Sequence, residues 1–304
     1  MILTKLIRYQ GGGKLCLSKI AIASAILTSI TTAPAQAGTF YENAILADNP
    51  VHYWRFEETS GTTANATAGT RNGTYQGGYT LGQTSASPNL GNAVRLDGQN
   101  GTQIGLGTPI HPGNSISVEA WFNLDTNSTN LYSPIIARFD GSYELDINYS
   151  NFPPGLSQGR ANMVVNSTTR GGFAGTTSPI TRGKWHHIVG IFNGESDGGG
   201  GTVTIFVDGI QGTSNTIGGN LQNAGGDDGL WYIGRTRSPN SGFAWDGLLD
   251  EVAIYNYALT PQQIQSHIAA AFQTDSPSVP EPSSIAGLLG LGLFGIGAAF
   301  KRKF

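Results

Sequence analysis

The chain has 304 residues, enough for one large domain with a substantial core, and 44 are glycine while only 12% are charged. The net charge of −3 hides an uneven layout: Lys5, Arg8, Lys14 and Lys19 precede Ile20, Lys301, Arg302 and Lys303 close the chain, and residues 38–279 carry ten Lys and Arg against nineteen Asp and Glu. That acidic middle offers no cationic surface for phosphate backbones, which excludes nucleic acid as an expected partner, and the single Cys16 excludes a disulfide framework.

Residues 1–37 read as a signal peptide: a basic start, an apolar stretch over residues 20–30, then Ala35-Gln36-Ala37 as the cleavage site before Gly38. An uncleaved membrane anchor is the alternative, but the apolar stretch is short against the roughly 20 residues that span a bilayer. Cys16 precedes that stretch rather than following it, which argues against a lipid anchor.

Residues 38–273 are predicted to form one all-β domain, because short runs alternate apolar and polar residues between Gly, Asn and Pro punctuation. The runs begin with Val51 to Glu57, Val94 to Asp97, Ile116 to Phe122 and Tyr143 to Ile147, and continue with Ala161 to Val165, His186 to Phe192, Val203 to Val207, Leu230 to Gly234 and Leu249 to Tyr255. Asp208-Gly209 suits a type I′ hairpin turn. A short helix is expected from Thr260, with Thr260 as N-cap and Pro261 at the first helical position. So many strands imply two packed antiparallel sheets.

Residues 274–283 read as a spacer containing Pro280-Glu281-Pro282, and residues 284–304 as a membrane-spanning helix with a basic end. Basic residues directly after an apolar span stay cytoplasmic, which places the preceding domain across the membrane. A plain single-pass anchor has the same polarity.

The order of Pro280-Glu281-Pro282, an apolar stretch and a basic end resembles the PEP-CTERM sorting signal. That resemblance implies processing by an exosortase, a membrane protease that cuts near the motif and passes its substrate to the cell surface or extracellular matrix. The body, in turn, resembles the laminin G-like, concanavalin A-type jelly-roll family through Tyr53-Trp54-Arg55-Phe56-Glu57-Glu58, Ala93 to Gly98, Ser117 to Phe122, Lys184-Trp185-His186-His187-Ile188-Val189, Val203 to Gly209, Tyr232-Ile233-Gly234 and Gly247 to Tyr255. These words mark strands and turns, so they imply fold more than activity.

The family also contains retaining glucanases, whose acids lie on one strand as Glu-x-Asp followed by a second Glu. Glu144-Leu145-Asp146 begins that pattern, but Asn148, Tyr149 and Ser150 stand where the acid/base belongs, so no catalytic residue is assigned. His186 and His187 are adjacent on a strand, point to opposite faces and do not chelate one metal. The tetraglycine at residues 198–201 lacks the Lys-Ser/Thr of a phosphate loop. The family resemblance implies a structural Ca2+, for which the candidate oxygen donors are Asp227, Asp228, Asp246, Asp250 and Glu251. For a ligand, the candidate aromatics outside the core are Trp231, Trp245, Tyr132 and Tyr149, with Phe152 beside them, whereas Trp54, Trp121 and Trp185 belong to the core.

These readings converge on an exported, non-catalytic recognition or adhesion module that binds extracellular polysaccharide or protein. A structural matrix component that packs against copies of itself is the second reading, and a divergent glycoside hydrolase the third.

Overall fold

The structure, a computed structural model, describes residues 39–107, 113–138, 143–149, 159–166, 171–194, 200–219, 221, 230–235 and 243–274. Ala35, Ala37, Pro280, Glu281, Pro282 and the expected C-terminal membrane helix lie outside them. In chain order the elements are α1 (Thr39–Ala47), β1 (His52–Trp54), β2 (Thr63–Ala64), β3 (Ala66–Ala68), β4 (Gly73–Gln76), β5 (Tyr79–Thr84), β6 (Asn92–Asp97), β7 (Gln103–Gly107) and β8 (Ile116–Leu124). There follow β9 (Tyr132–Arg138), β10 (Tyr143–Asn148), β11 (Arg160–Val165), β12 (Gly172–Gly175), β13 (His186–Gly194), β14 (Gly200–Val207), β15 (Ile210–Gly218), β16 (Trp231–Ile233), β17 (Asp246–Tyr255) and α2 (Pro261–Ala271).

The strands form the two antiparallel sheets of a jelly-roll sandwich. The first runs β15-β14-β13-β8-β17-β1-β3, with β6 pairing to β17 and β5 to β6; the second runs β12-β11-β10-β9-β16-β7-β4-β2. Alternation explains the layering. On β8, Ile116, Val118, Ala120, Phe122 and Leu124 enter the core between the sheets, while Trp121 joins a second core under the two helices. The first sheet is therefore covered on both faces, by the second sheet and by α1 with α2. On β17, Leu249 and Val252 both face the inter-sheet core although they are three positions apart, an odd spacing that alternation would put on opposite faces. A register irregularity between Asp250 and Ala253 makes this possible, with Glu251 at φ 53°, and leaves two successive carboxylates on the helix side.

Several local expectations hold. Asp208 and Gly209 both take positive φ, 51° and 74°, as a type I′ turn between β14 and β15 requires. Thr260 caps α2 in a full capping box, accepting from the Gln263 backbone N–H at 3.3 Å while the Gln263 side chain accepts from the Thr260 N–H at 2.9 Å. Two features differ. The run from Val51 contributes only three strand residues, since Phe56 turns to φ 55°. Helix α1 has no strong sequence signal; nine residues are too few for a stable isolated helix, and Tyr41 and Ile45, both fully buried, hold it in place by packing.

What closes the helices onto the first sheet is a fully buried carboxylate. Glu119 on β8 accepts hydrogen bonds from Tyr41 of α1 (3.0 Å), Tyr255 of β17 (3.1 Å), His187 of β13 (2.7 Å) and Nδ1 of His267 on α2 (3.0 Å). The second ring nitrogen of His267 lies 2.9 Å from Asp48, just after α1. Burial disfavours the ionised forms, but the opposite charges outweigh it: the histidines hold Glu119 well below the usual carboxylate range, and Glu119 with Asp48 pushes His267 up to about 8. His187 thus serves packing and hydrogen bonding, and its neighbour His186 turns to the other face, 5.5 Å from the Phe122 ring.

Two outcomes follow for stability. Glu119→Ala leaves buried imidazole and phenol groups unpaired and is expected to cost about 3–5 kcal/mol in urea unfolding, the range for breaking a buried ion pair. A histidine whose folded pKa is raised stabilises fully below its unfolded value, about 6.5, and loses that contribution as pH rises through about 8. Glu119, lowered in the folded state, contributes above its unfolded value and fades as pH falls. Thermal midpoints are therefore expected to be highest between about pH 5 and 6.5 and lower at pH 8.5, by a share that His267→Gln removes.

Candidate functional site

With the helix side of the first sheet closed, the outer face of the second sheet is the surface on which strands present polar and aromatic groups together. Tyr143, Leu145 and Ile147 of β10 point into the core, so Glu144, Asp146 and Asn148 face outward. Register places Asp146 beside Asn162 of β11 and Asn148 beside Arg160 and, on β9, Tyr132. The Asp146 carboxylate is fully buried and accepts from the Tyr132 hydroxyl and the Asn162 side-chain amide, both at 3.1 Å. Burial pushes its pKa up to about 7 against the lowering effect of those two bonds.

That floor fixes the Tyr132 ring at a partly exposed apolar rim. Phe243 meets it edge-to-face, with centroids 5.5 Å apart, and is 36% exposed; Leu131, next in chain, is 57% exposed. An apolar rim of this kind suits the hydrophobic face of a flat ligand. Phe243 and Leu131 carry weak sequence signals, each a large apolar residue in a polar loop outside any alternating run.

The other aromatic candidates are placed differently. Trp231 and Trp245 were expected outside the core and are instead fully buried within it. Trp231 sits on β16 between β7 and β9, and alternation turns it inward onto Tyr143, 4.2 Å between centroids, while Trp245 packs edge-to-face on Phe122. Tyr149 is half-buried: the Arg182 guanidinium lies 3.8 Å over its ring, and Gly159 is so close that an added Cβ would fall 2.4 Å from Tyr149 Cε1. It packs against Arg182 and Gly159. Phe152 lies outside the described residues.

Among the candidate calcium donors, Asp227 and Asp228 lie outside the described residues. Asp246 shares the Arg95 guanidinium with Asp125, at 3.4 and 3.0 Å. Asp250 and Glu251 are buried on the helix side: Asp250 accepts from the Ser85 hydroxyl, and Glu251 from the Tyr53 hydroxyl and, at 3.2 Å, from Arg55. Burial pushes Glu251 up to about 8 and raises Asp250, which the Glu251 charge raises further. Among the described residues no group of three or more His, Cys, Asp or Glu is placed to hold a metal ion.

A separate cleft of about 220 Å³ lies where the 176–181 loop meets the β14–β15 turn. It contains His186, whose ring nitrogens are both engaged, by Asp208 at 2.7 Å and the Thr181 carbonyl at 3.0 Å. Burial opposes its protonation, but the Asp208 carboxylate wins and raises its pKa. A histidine so committed has no free nitrogen to serve as a base.

Comparison with known proteins agrees with this architecture. Domain 4 of AbnA, a GH43 extracellular arabinanase from Geobacillus stearothermophilus, in complex with arabinotriose, is similar at 20% identity and a TM-score of 0.52, over 72% of this chain and 98% of that one. The binding domain of Paraclostridial Mosquitocidal Protein 1 is similar at 14% identity and a TM-score of 0.55, over 75% of this chain and 54% of that one. For the botulinum neurotoxin type G receptor binding domain the values are 11%, 0.50, 72% and 51%. The similarity thus spans about half the length of the two toxin chains, and at these identities it shows the fold alone. No curated protein matches the sequence. Residues 278–303 match the PEP-CTERM protein-sorting motif, which marks the protein for export, with transient membrane anchoring before surface or extracellular localisation, and implies processing by an exosortase. Residues 96–265, more than half of the chain, match the Laminin_G_3 family, and the protein belongs to this family of the concanavalin A-like lectin/glucanase superfamily.

Proposed function

We propose that the domain is a non-catalytic recognition module of the cell surface or extracellular matrix, and that it binds oligosaccharide at the rim formed by Tyr132 and Phe243. The observation that carries this reading is an aromatic pair, Phe243 exposed and Tyr132 partly so, whose tyrosine is held by a buried carboxylate, on the face of the sandwich that the helices leave uncovered. Sugar rings present C–H faces to aromatic surfaces, which such a rim accommodates. The non-catalytic character rests on Asn148, an amide, following Glu144 and Asp146 along the same face, and on Asp146 being engaged by Tyr132 and Asn162. A retaining pair requires a free nucleophile and a proton donor about 5–5.5 Å apart.

The arabinotriose complex of the similar arabinanase domain makes that trisaccharide the first probe. Titration calorimetry with arabinotriose, followed by a polysaccharide panel, is expected to detect binding that Tyr132→Ala and Phe243→Ala each weaken by about tenfold or more, roughly 1.4 kcal/mol. Tyr132→Phe, which keeps the ring, is expected to retain most of it. Absence of binding to every glycan together with self-assembly of the chain would instead favour a structural matrix component, and sugar release from the panel would return the hydrolase reading.

A further inference from the structure

We propose that, while the chain is anchored through residues 284–304, the helix-covered face of the first sheet docks on the phospholipid bilayer and turns the outer face of the second sheet away from it. Three observations carry this. The first is attachment. Helix α2 is the last described element, and residues 275–283 reach at most about 30 Å when fully extended. A domain on so short a tether meets the bilayer near the point where its chain departs.

The second is that both ends of the described chain occupy the same face. Tyr41, in the first turn of α1, lies 6.3 Å from the Trp121 ring, and Phe272, just after α2, lies 5.7 Å from it. Phe272 is 56% exposed, an apolar ring left uncovered beside the departing chain, where a membrane interface would accept it.

The third is charge. The solvent side of α2 consists of Pro261, Gln262, Gln265, Ser266 and Ala269, none of them ionisable. The one acidic side chain of α1, Glu42, is paired with Arg55 at 2.8 Å, a guanidinium shared with Glu57 and Glu251, and Asp48 is paired with His267, which also meets Glu119. The exposed surface of α2 therefore has no carboxylate of its own to be repelled by anionic headgroups.

The test uses the full chain with Cys16→Ser, reconstituted in vesicles of phosphatidylethanolamine and phosphatidylglycerol that contain a nitroxide headgroup quencher. A fluorophore is placed on Ser266→Cys, exposed on α2, or on Thr74→Cys, exposed on the outer face of the second sheet. Quenching several-fold stronger at position 266 than at position 74 is expected, and Gln262→Glu with Ala269→Glu is expected to reduce it towards the position-74 level without lowering the thermal midpoint. Equal quenching at the two positions, stronger quenching at position 74, or indifference to the added charges would overturn the proposal. So would a label at position 266 that lipid does not quench but that cross-links to a second copy, which would assign the helix face to self-association.

Discussion

One buried carboxylate sets the architecture. Glu119 lies in the middle of the first sheet with no water to solvate it, so it is tolerable only if charged and hydrogen-bonded partners surround it. Those partners come from four elements distant in sequence, α1, β13, β17 and α2, and they reach the carboxylate only when both helices are seated on the sheet. The network therefore specifies where the helices sit as much as it stabilises them. A second buried group, in which Glu251 accepts from Tyr53 and Arg55 beside Asp250, repeats the arrangement further along the same face.

Closing that face has a functional consequence. A sandwich has two outer faces, and here one is occupied by the helices and the ionic groups that hold them. The outer face of the second sheet and its loops remain, and the proposed glycan site lies there. There the logic is similar on a smaller scale: Asp146, buried and engaged by Asn162 and Tyr132, orients a ring whose own edge remains partly exposed next to Phe243. Ion pairing and packing hold the scaffold, while Phe243 leaves apolar area exposed beside Tyr132.

Export and anchoring add a direction to this asymmetry. The sorting motif lies a few residues beyond α2, so the closed face is the one from which the chain continues towards its membrane segment. Recognition on the far side of the sandwich is then compatible both with the anchored stage and with later release to the surface or the matrix, because neither stage requires the rim to be uncovered by a conformational change.

The strands, the Asp208-Gly209 turn, the capped helix at Thr260 and the sorting motif were legible because each depends on neighbours in the chain: alternation, a dipeptide that accepts positive φ, a side chain that caps its own helix. Helix α1 was not, since nine residues gain their stability from contacts with a sheet that assembles far downstream. Trp231 and Trp245 read as loop aromatics because short or flanking segments carry little periodicity, and only pairing with β7 and β9 turned Trp231 inward. Glu119 looked like any polar residue in an alternating strand, with nothing to mark it as the meeting point of Tyr41, His187, Tyr255 and His267. Local order was thus determined by the sequence itself, whereas the burial of charges and the composition of the rim were decided by the tertiary structure, because both depend on side chains brought together from distant segments by the packing of the two sheets and the helices.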